Sequence, residues 1–234
     1  MNRLTAFSAS IFARRHPAVL VCALAASSAC LHASTNNFVV PSFRNAADSE
    51  IGYWENFTVA YGAPGNTATM TGSTTGATLT QTLSPSAFVT GSGNLYDPAE
   101  ATGFVLSDST PFTLGTVVLQ IRTLGAELKY DAIRLTHTDA NGTHALEPLS
   151  RVELDRGTVL GASVSSLWQW DLTGLGVTDY SINWESDGSS LSLDSVTLDT
   201  WNSFSAVPEP SIATMLWLGL GVVWGLGRWG RARG

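Results

Sequence analysis

Cysteine is nearly missing from this 234-residue chain: there are two, Cys22 and Cys30. Both fall in a leader-like N-terminus, so a chain cleaved after Ala33 keeps neither. That excludes a disulfide framework, a thiolate nucleophile and a cysteine-based metal site from the body. Positive charge is scarce as well. Lys and Arg total 12 against 19 Asp and Glu, for a net charge of −7. Between residues 34 and 206 the cationic side chains are Arg44, Arg122, Lys129, Arg134, Arg151 and Arg156. Nucleic-acid binding rests on Lys and Arg neutralising phosphates, so this body argues against nucleic acid as a partner. No segment of it keeps a helical apolar period over three turns, which argues against a helical domain. GxSxG, HExxH, P-loop and GxGxxG patterns are all absent. The body therefore reads as a non-enzyme.

What is present begins with an export leader. Arg3, Arg14, Arg15 and His16 make a positive n-region, 18–26 is a short apolar core, and Leu31-His32-Ala33 is a cleavage site before Ser34. The apolar core is too short to span a membrane. Arg14-Arg15 raises a twin-arginine signal, but the residues after it fit poorly, so Sec export is expected. A lipoprotein leader would cleave before Cys30, but Ser27-Ser28-Ala29 lacks the large aliphatic residue that requires. The expected organisation is a signal peptide at 1–33, a body at 34–206 and a tail at 207–234.

The body carries strand signals. Residues 51–61 are rich in aromatic and β-branched side chains and end at a Gly/Pro/Asn turn. A short strand is expected within 77–83. Residues 112–124 form a buried run, expected to pair with 132–137. Asn141-Gly142 supplies a two-residue hairpin turn. Residues 168–172 and 180–184 alternate, Asp187-Gly188 is a turn, and 191–199 is the last strand. Many short strands with frequent turns predict an all-β fold with a single β-sandwich domain. An acidic, Ser/Thr/Gly-rich surface fits a solvated extracellular domain.

Several side chains are candidates for chemistry or binding. His137 and His144 flank the hairpin turn and could face each other across it as a metal pair or general base, with Asp139 beside them; the alternative is exposed polar residues near a turn. Glycoside hydrolysis needs two carboxyls across a cleft. Glu50, Glu55, Glu127, Glu153 and Glu185 are available, and the sequence does not pair them. Glu185, Asp187 and Asp194 could offer oxygens to a structural Ca²⁺, although Asp187-Gly188 is also an ordinary turn. Sugar binding needs exposed aromatics, for which Tyr53, Trp54, Trp168, Trp170, Trp184 and Trp201 are available. Trp168 and Trp170 fall on one face of a strand, which is either a carbohydrate platform or the sandwich core.

Leu191, Leu193, Asp194, Val196 and Leu198 form a Leu-x-Leu-Asp-x-Val-x-Leu ending. It resembles the final strand of jelly-roll sandwiches, including carbohydrate-binding modules. The resemblance implies jelly-roll topology, and such modules often hold a structural calcium.

The tail is the most informative stretch. Pro208 and Pro210 lack backbone N–H groups and stiffen Val-Pro-Glu-Pro into an extended segment. An uncharged run, 212–227, follows; it is rich in Leu, Ile, Val, Met and Trp and carries a GxxxG at Gly221 and Gly225. It lies near the lower limit of about 17 residues for a spanning helix. Of Trp217, Trp224 and Trp229, only Trp229 sits where an aromatic belt would place it. Arg228, Arg231 and Arg233 close the chain and orient it with the body outside the cytoplasm. This order of motif, apolar helix and terminal arginines resembles the PEP-CTERM sorting domain. Unlike the tight basic run common in that family, the arginines here are interrupted by Trp229, Gly230 and Ala232.

The resemblance implies an exosortase substrate, with Pro208, Glu209 and Pro210 as the recognition residues. It also implies a transient inner-membrane anchor facing the periplasm, then delivery to the cell surface or extracellular matrix. The expected body is structural or adhesive. A carbohydrate-binding module of the envelope or exopolysaccharide is the alternative, and a secreted hydrolase the third. No cofactor beyond a structural calcium is implied.

Overall fold

The computed structural model describes residues 37–68, 74–157 and 163–207. The expected signal peptide and the tail beyond Val207, including Pro208, Glu209, Pro210, Arg228, Arg231 and Arg233, lie outside the described residues. Among the described residues no helix is long and apolar enough to cross a membrane.

The described residues form thirteen strands and one turn of 3₁₀ helix at Tyr130–Ala132. The first six are β1 (Ser49–Trp54), β2 (Asn66–Thr67), β3 (Thr78–Gln81), β4 (Phe88–Val89), β5 (Leu95–Tyr96) and β6 (Gly103–Ser109). Then come β7 (Thr116–Gly125), β8 (Arg134–Asp139), β9 (Gly142–Leu146) and β10 (Ser150–Gly157). The last are β11 (Ser163–Asp171), β12 (Asp179–Glu185) and β13 (Leu191–Trp201). The fold is all-β, as the sequence pattern predicts.

Two antiparallel sheets result. The larger has the order β10-β11-β7-β13-β5-β4, with β1 also paired to β13; the smaller has the order β2-β3-β6-β12-β8-β9. Successive side chains on a strand point to opposite faces, and one face of each sheet enters a shared core. Leu119 and Ile121 of β7, Trp168 and Trp170 of β11, and Val196 and Leu198 of β13 come from the larger sheet. Leu106 of β6, Ile182 and Trp184 of β12, and Leu135 of β8 meet them from the smaller one. This is the packing of a β-sandwich.

Three local expectations need correction. Residues 112–124 and 132–137 do not pair: β7 and β8 lie in different sheets, because the chain crosses over through the 3₁₀ turn between them. Strand geometry in 51–61 stops at Trp54. Beyond it, the buried Asn66 amide accepts the N–H of Thr58 (2.8 Å) and of Val59 (2.9 Å) and donates to the Val59 carbonyl (2.8 Å). One amide side chain thus replaces a strand neighbour for that loop. The β8–β9 hairpin turns one residue early: Asp139 pairs with Gly142, leaving Ala140 and Asn141 as the loop.

The two outer faces differ. On the smaller sheet, β12 alternates buried Tyr180, Ile182 and Trp184 with half-exposed Ser181, Asn183 and Glu185, so its outer face is wet. On the larger sheet, Val118 and Gln120 of β7 and Leu167 and Gln169 of β11 point outward and are all buried. The chain's own arms cover them: residues 37–48 before β1 and residues 202–207 after β13.

Candidate functional site

The covered face includes Val207, one residue before the Pro-Glu-Pro motif, and is built from polar side chains in apolar strands. Gln120 grips the N-terminal arm in both directions. Its Oε1 accepts the Val39 N–H (2.7 Å) and its Nε2 donates to the Val39 carbonyl (2.9 Å). Gln169, on the neighbouring strand, treats the C-terminal arm alike. It donates to the Ser205 carbonyl (2.7 Å) and accepts the Val207 N–H (3.1 Å). Thr116 adds a second clamp, donating to the Ser203 carbonyl (2.8 Å) and accepting the Ser205 N–H (3.0 Å). A primary amide carries the donor and acceptor of a peptide group, so each glutamine acts as one rung of an extra strand. Gly115 lets the arm approach; a Cβ there would lie 2.6 Å from the Ser203 carbonyl carbon.

Apolar contacts and one ion pair complete this face. Phe43, Val118 and Leu167 form a second cluster, against which Val39, Leu154, Trp201 and Val207 pack. Phe43 stacks on Trp201 with centroids 5.4 Å apart. Arg44 reaches Asp199 with two bonds, Nε to Oδ1 at 2.6 Å and NH2 to Oδ2 at 2.7 Å. Burial pushes the Asp199 carboxyl up, and Arg44 pulls it back. Trp201, a candidate aromatic for sugar binding, packs here against Phe43 instead, and the clamps of Thr116, Gln120 and Gln169 are not foreseen from the sequence. The signal that could have found them is a lone glutamine inside an apolar strand, as in Val-Val-Leu-Gln120-Ile and Leu-Trp-Gln169-Trp.

Trp168 and Trp170 do share a face, but it is the core face. They are 0% and 1% exposed, so as a carbohydrate platform they are corrected: neither ring is open to a ligand. Tyr130 is half-buried beside them, and its ring has two partners. Trp168 stacks on it at 6.3 Å, and the Arg151 guanidinium lies 3.7 Å from its centroid.

The calcium candidates have protein partners. Lys129 Nζ donates to Glu185 (2.7 Å), and Asn94 donates to Asp194 (3.1 Å), which also faces Arg122 (3.5 Å). Asp187 is exposed in the β12–β13 turn. Among the described residues, no three His, Cys, Asp or Glu side chains gather as a metal-ion site.

Of the carboxyls weighed for hydrolysis, Glu127 and Glu153 share Arg156, at 2.5 and 2.8 Å. Arg156 holds both below the usual range. Glu55 lies in the loop after β1. Glu50 does meet a second carboxyl, one the sequence did not single out. Burial, then the charge of Asp108, pushes Glu50 up. Asp108 is itself engaged, accepting from Thr75 Oγ1 (2.9 Å) and from the Tyr180 hydroxyl (3.0 Å). At 7% exposure it is enclosed in the end of the sandwich. With Asp108 enclosed, the two carboxyls do not flank an open cleft.

The two histidines are brought together. His137 and His144 are cross-strand partners, their rings stacked 5.2 Å apart. His137 is buried rather than exposed, because on β8 it follows Leu135 on the inward face.

No family model and no curated protein matches the chain. Among solved structures, it is similar to the enzymatically active domain of Bacteriophage CBA120 tailspike protein 4, with a TM-score of 0.29 and 10% identity. The match covers 71% of this chain and 21% of that one.

Proposed function

We propose that this chain is an exported protein of a bacterial surface or extracellular matrix, carrying a PEP-CTERM sorting tail that an exosortase-like membrane transpeptidase handles. One observation carries the reading: Val207, clamped by Gln169, is followed at once by Pro208-Glu209-Pro210, an uncharged run and the arginines at 228, 231 and 233. A helix starting there brings the body against the periplasmic side of the inner membrane. Cutting near the motif leaves 202–207 behind as part of the fold.

The body, in this reading, is a structural or adhesive jelly roll. Its support is the strand order. The orders β1-β13-β7-β11 in the larger sheet and β6-β12-β8-β9 in the smaller one follow those of an eight-stranded jelly roll, with β2, β3, β4, β5 and β10 as additions. Polysaccharide contact falls to the wet face of the smaller sheet. There Thr78, Ser107, Ser181 and Thr136 lie in register across four strands and offer a row of hydroxyls.

The test is fractionation of the native host carrying wild type or Pro208→Ala/Pro210→Ala. Wild type is expected at the surface or in the medium, and the variant in the inner membrane. Identical distribution of the two overturns the exosortase reading and leaves a plain single-span anchor.

A further inference from the structure

The tip of the β8–β9 hairpin carries a feature that the sorting reading leaves unused. Four histidines occur in the chain, and the two in the body meet. His137 and Asp139 lie two apart on β8 and so share a face. His144, opposite His137 on β9, lies on the same face. Asp139 Oδ1 lies 3.0 Å from His144 Nε2. A carboxylate accepts, so that nitrogen carries the proton and Nδ1 of the neutral ring keeps a free lone pair. This is how metal-bound histidines are usually oriented, with a carboxylate on the far nitrogen fixing the tautomer and raising ligand basicity.

The second observation is His137 itself. It is 7% exposed, so more than nine-tenths buried. The stack on His144 is its recorded contact; neither ring nitrogen has a hydrogen-bond partner among the described residues. Neither ring nitrogen is among the fully buried unpartnered polar atoms of the described residues, so the nitrogen edge of the ring reaches solvent. The lone pairs lie in the ring planes, so an ion would be held at the nitrogen edges of the two adjacent rings. His144, with its side chain 42% exposed, leaves the site open to solvent.

We propose that His137 and His144 form a two-nitrogen site for a borderline divalent transition metal, Zn²⁺ being the reference ion. Asp139 acts as the outer partner of His144, and water fills the remaining positions. Imidazole suits Zn²⁺, Cu²⁺ and Ni²⁺, whereas Ca²⁺ takes oxygen ligands. The site is separate from the Glu185, Asp187 and Asp194 candidates and needs no third protein ligand.

The experiment is calorimetric titration of the full chain in detergent with ZnCl₂ and, separately, with CaCl₂. His16, His32 and the two cysteines of the leader stay constant across all variants. Wild type is expected to take up one more zinc than His144→Gln or His137→Gln. Asp139→Asn should weaken that zinc by about tenfold or more, and CaCl₂ should give no heat that depends on His144. His144 is exposed, so its replacement leaves the hairpin folded and decides the matter even where His137→Gln does not fold. An identical zinc isotherm for wild type and His144→Gln overturns the site.

Discussion

On the outer face of β7, Val118 and Gln120 are buried beneath the chain's own arms; on the outer face of β12, Ser181 and Asn183 stand half in water. Both strands sit inside their sheets and both pack inward on the same core. The difference lies in what covers their backs. The larger sheet is dry on two sides, so β7 reads as an unbroken buried run, Thr-Val-Val-Leu-Gln-Ile. The smaller sheet is dry on one side, so β12 alternates. A polar residue therefore means different things on the two sheets: Ser181 and Asn183 of β12 face solvent, whereas Thr116 and Gln120 of β7 and Gln169 of β11 bind an arm.

Breaking the covered face should cost most at its buried charge. With Arg44→Leu, Asp199 remains as an unpaired carboxylate whose side chain is 1% exposed. A loss of about 3–5 kcal/mol is expected from urea unfolding near neutral pH. The pH dependence has a definite sign. Asp199 already sits above its ordinary value of 3.8 through burial, and loss of Arg44 raises it further. An acid raised in the folded state favours folding at low pH and loses that contribution as pH rises through its folded value. The gap between variant and wild type should thus be narrow at acid pH and widen toward neutrality. A gap that narrows as pH rises would contradict the assignment of Arg44 to Asp199.

Next in size is the amide clamp. Gln169→Ala removes two hydrogen bonds and leaves the Ser205 carbonyl and Val207 N–H to find water, a cost of about 1–3 kcal/mol. Hydrogen exchange should show faster exchange at Val207, with Val39 on the other arm unchanged. Gln120→Ala should do the reverse. Loss of protection on both arms from either change would show that the arms form one unit. The smallest effect is expected on the wet face, where Ser181→Ala should change stability by no more than about 0.5 kcal/mol. A larger loss would mean that something covers that face too.

How legible this was in the sequence follows the same division. The alternation of β12 and the placing of a last strand at β13 can be read directly, and so can the register that puts Trp168 and Trp170 on one face. Which side that face looks toward was open, since core and ligand platform use the same residues at the same spacing. The expected pairing of 112–124 with 132–137 rested on neighbours in sequence pairing in space. Here the chain changes sheets between them, and no local signal in residues 126–133 marks the crossing. β6 was overlooked although Phe104, Leu106 and Asp108 alternate inward, because its third inward residue is a carboxylate that pairs only in three dimensions with Tyr180. The arms were illegible for a similar reason: Val39 and Ser205 are held by side chains 81 and 36 residues away.

The measurement that bears most directly on the account is the intact mass of the mature protein taken from its native host. A chain that begins at Ser34 and ends within or beside Pro208-Glu209-Pro210 is the result that the proposed sorting of the tail predicts. A mass that retains the apolar run and the arginines at 228, 231 and 233 would contradict it.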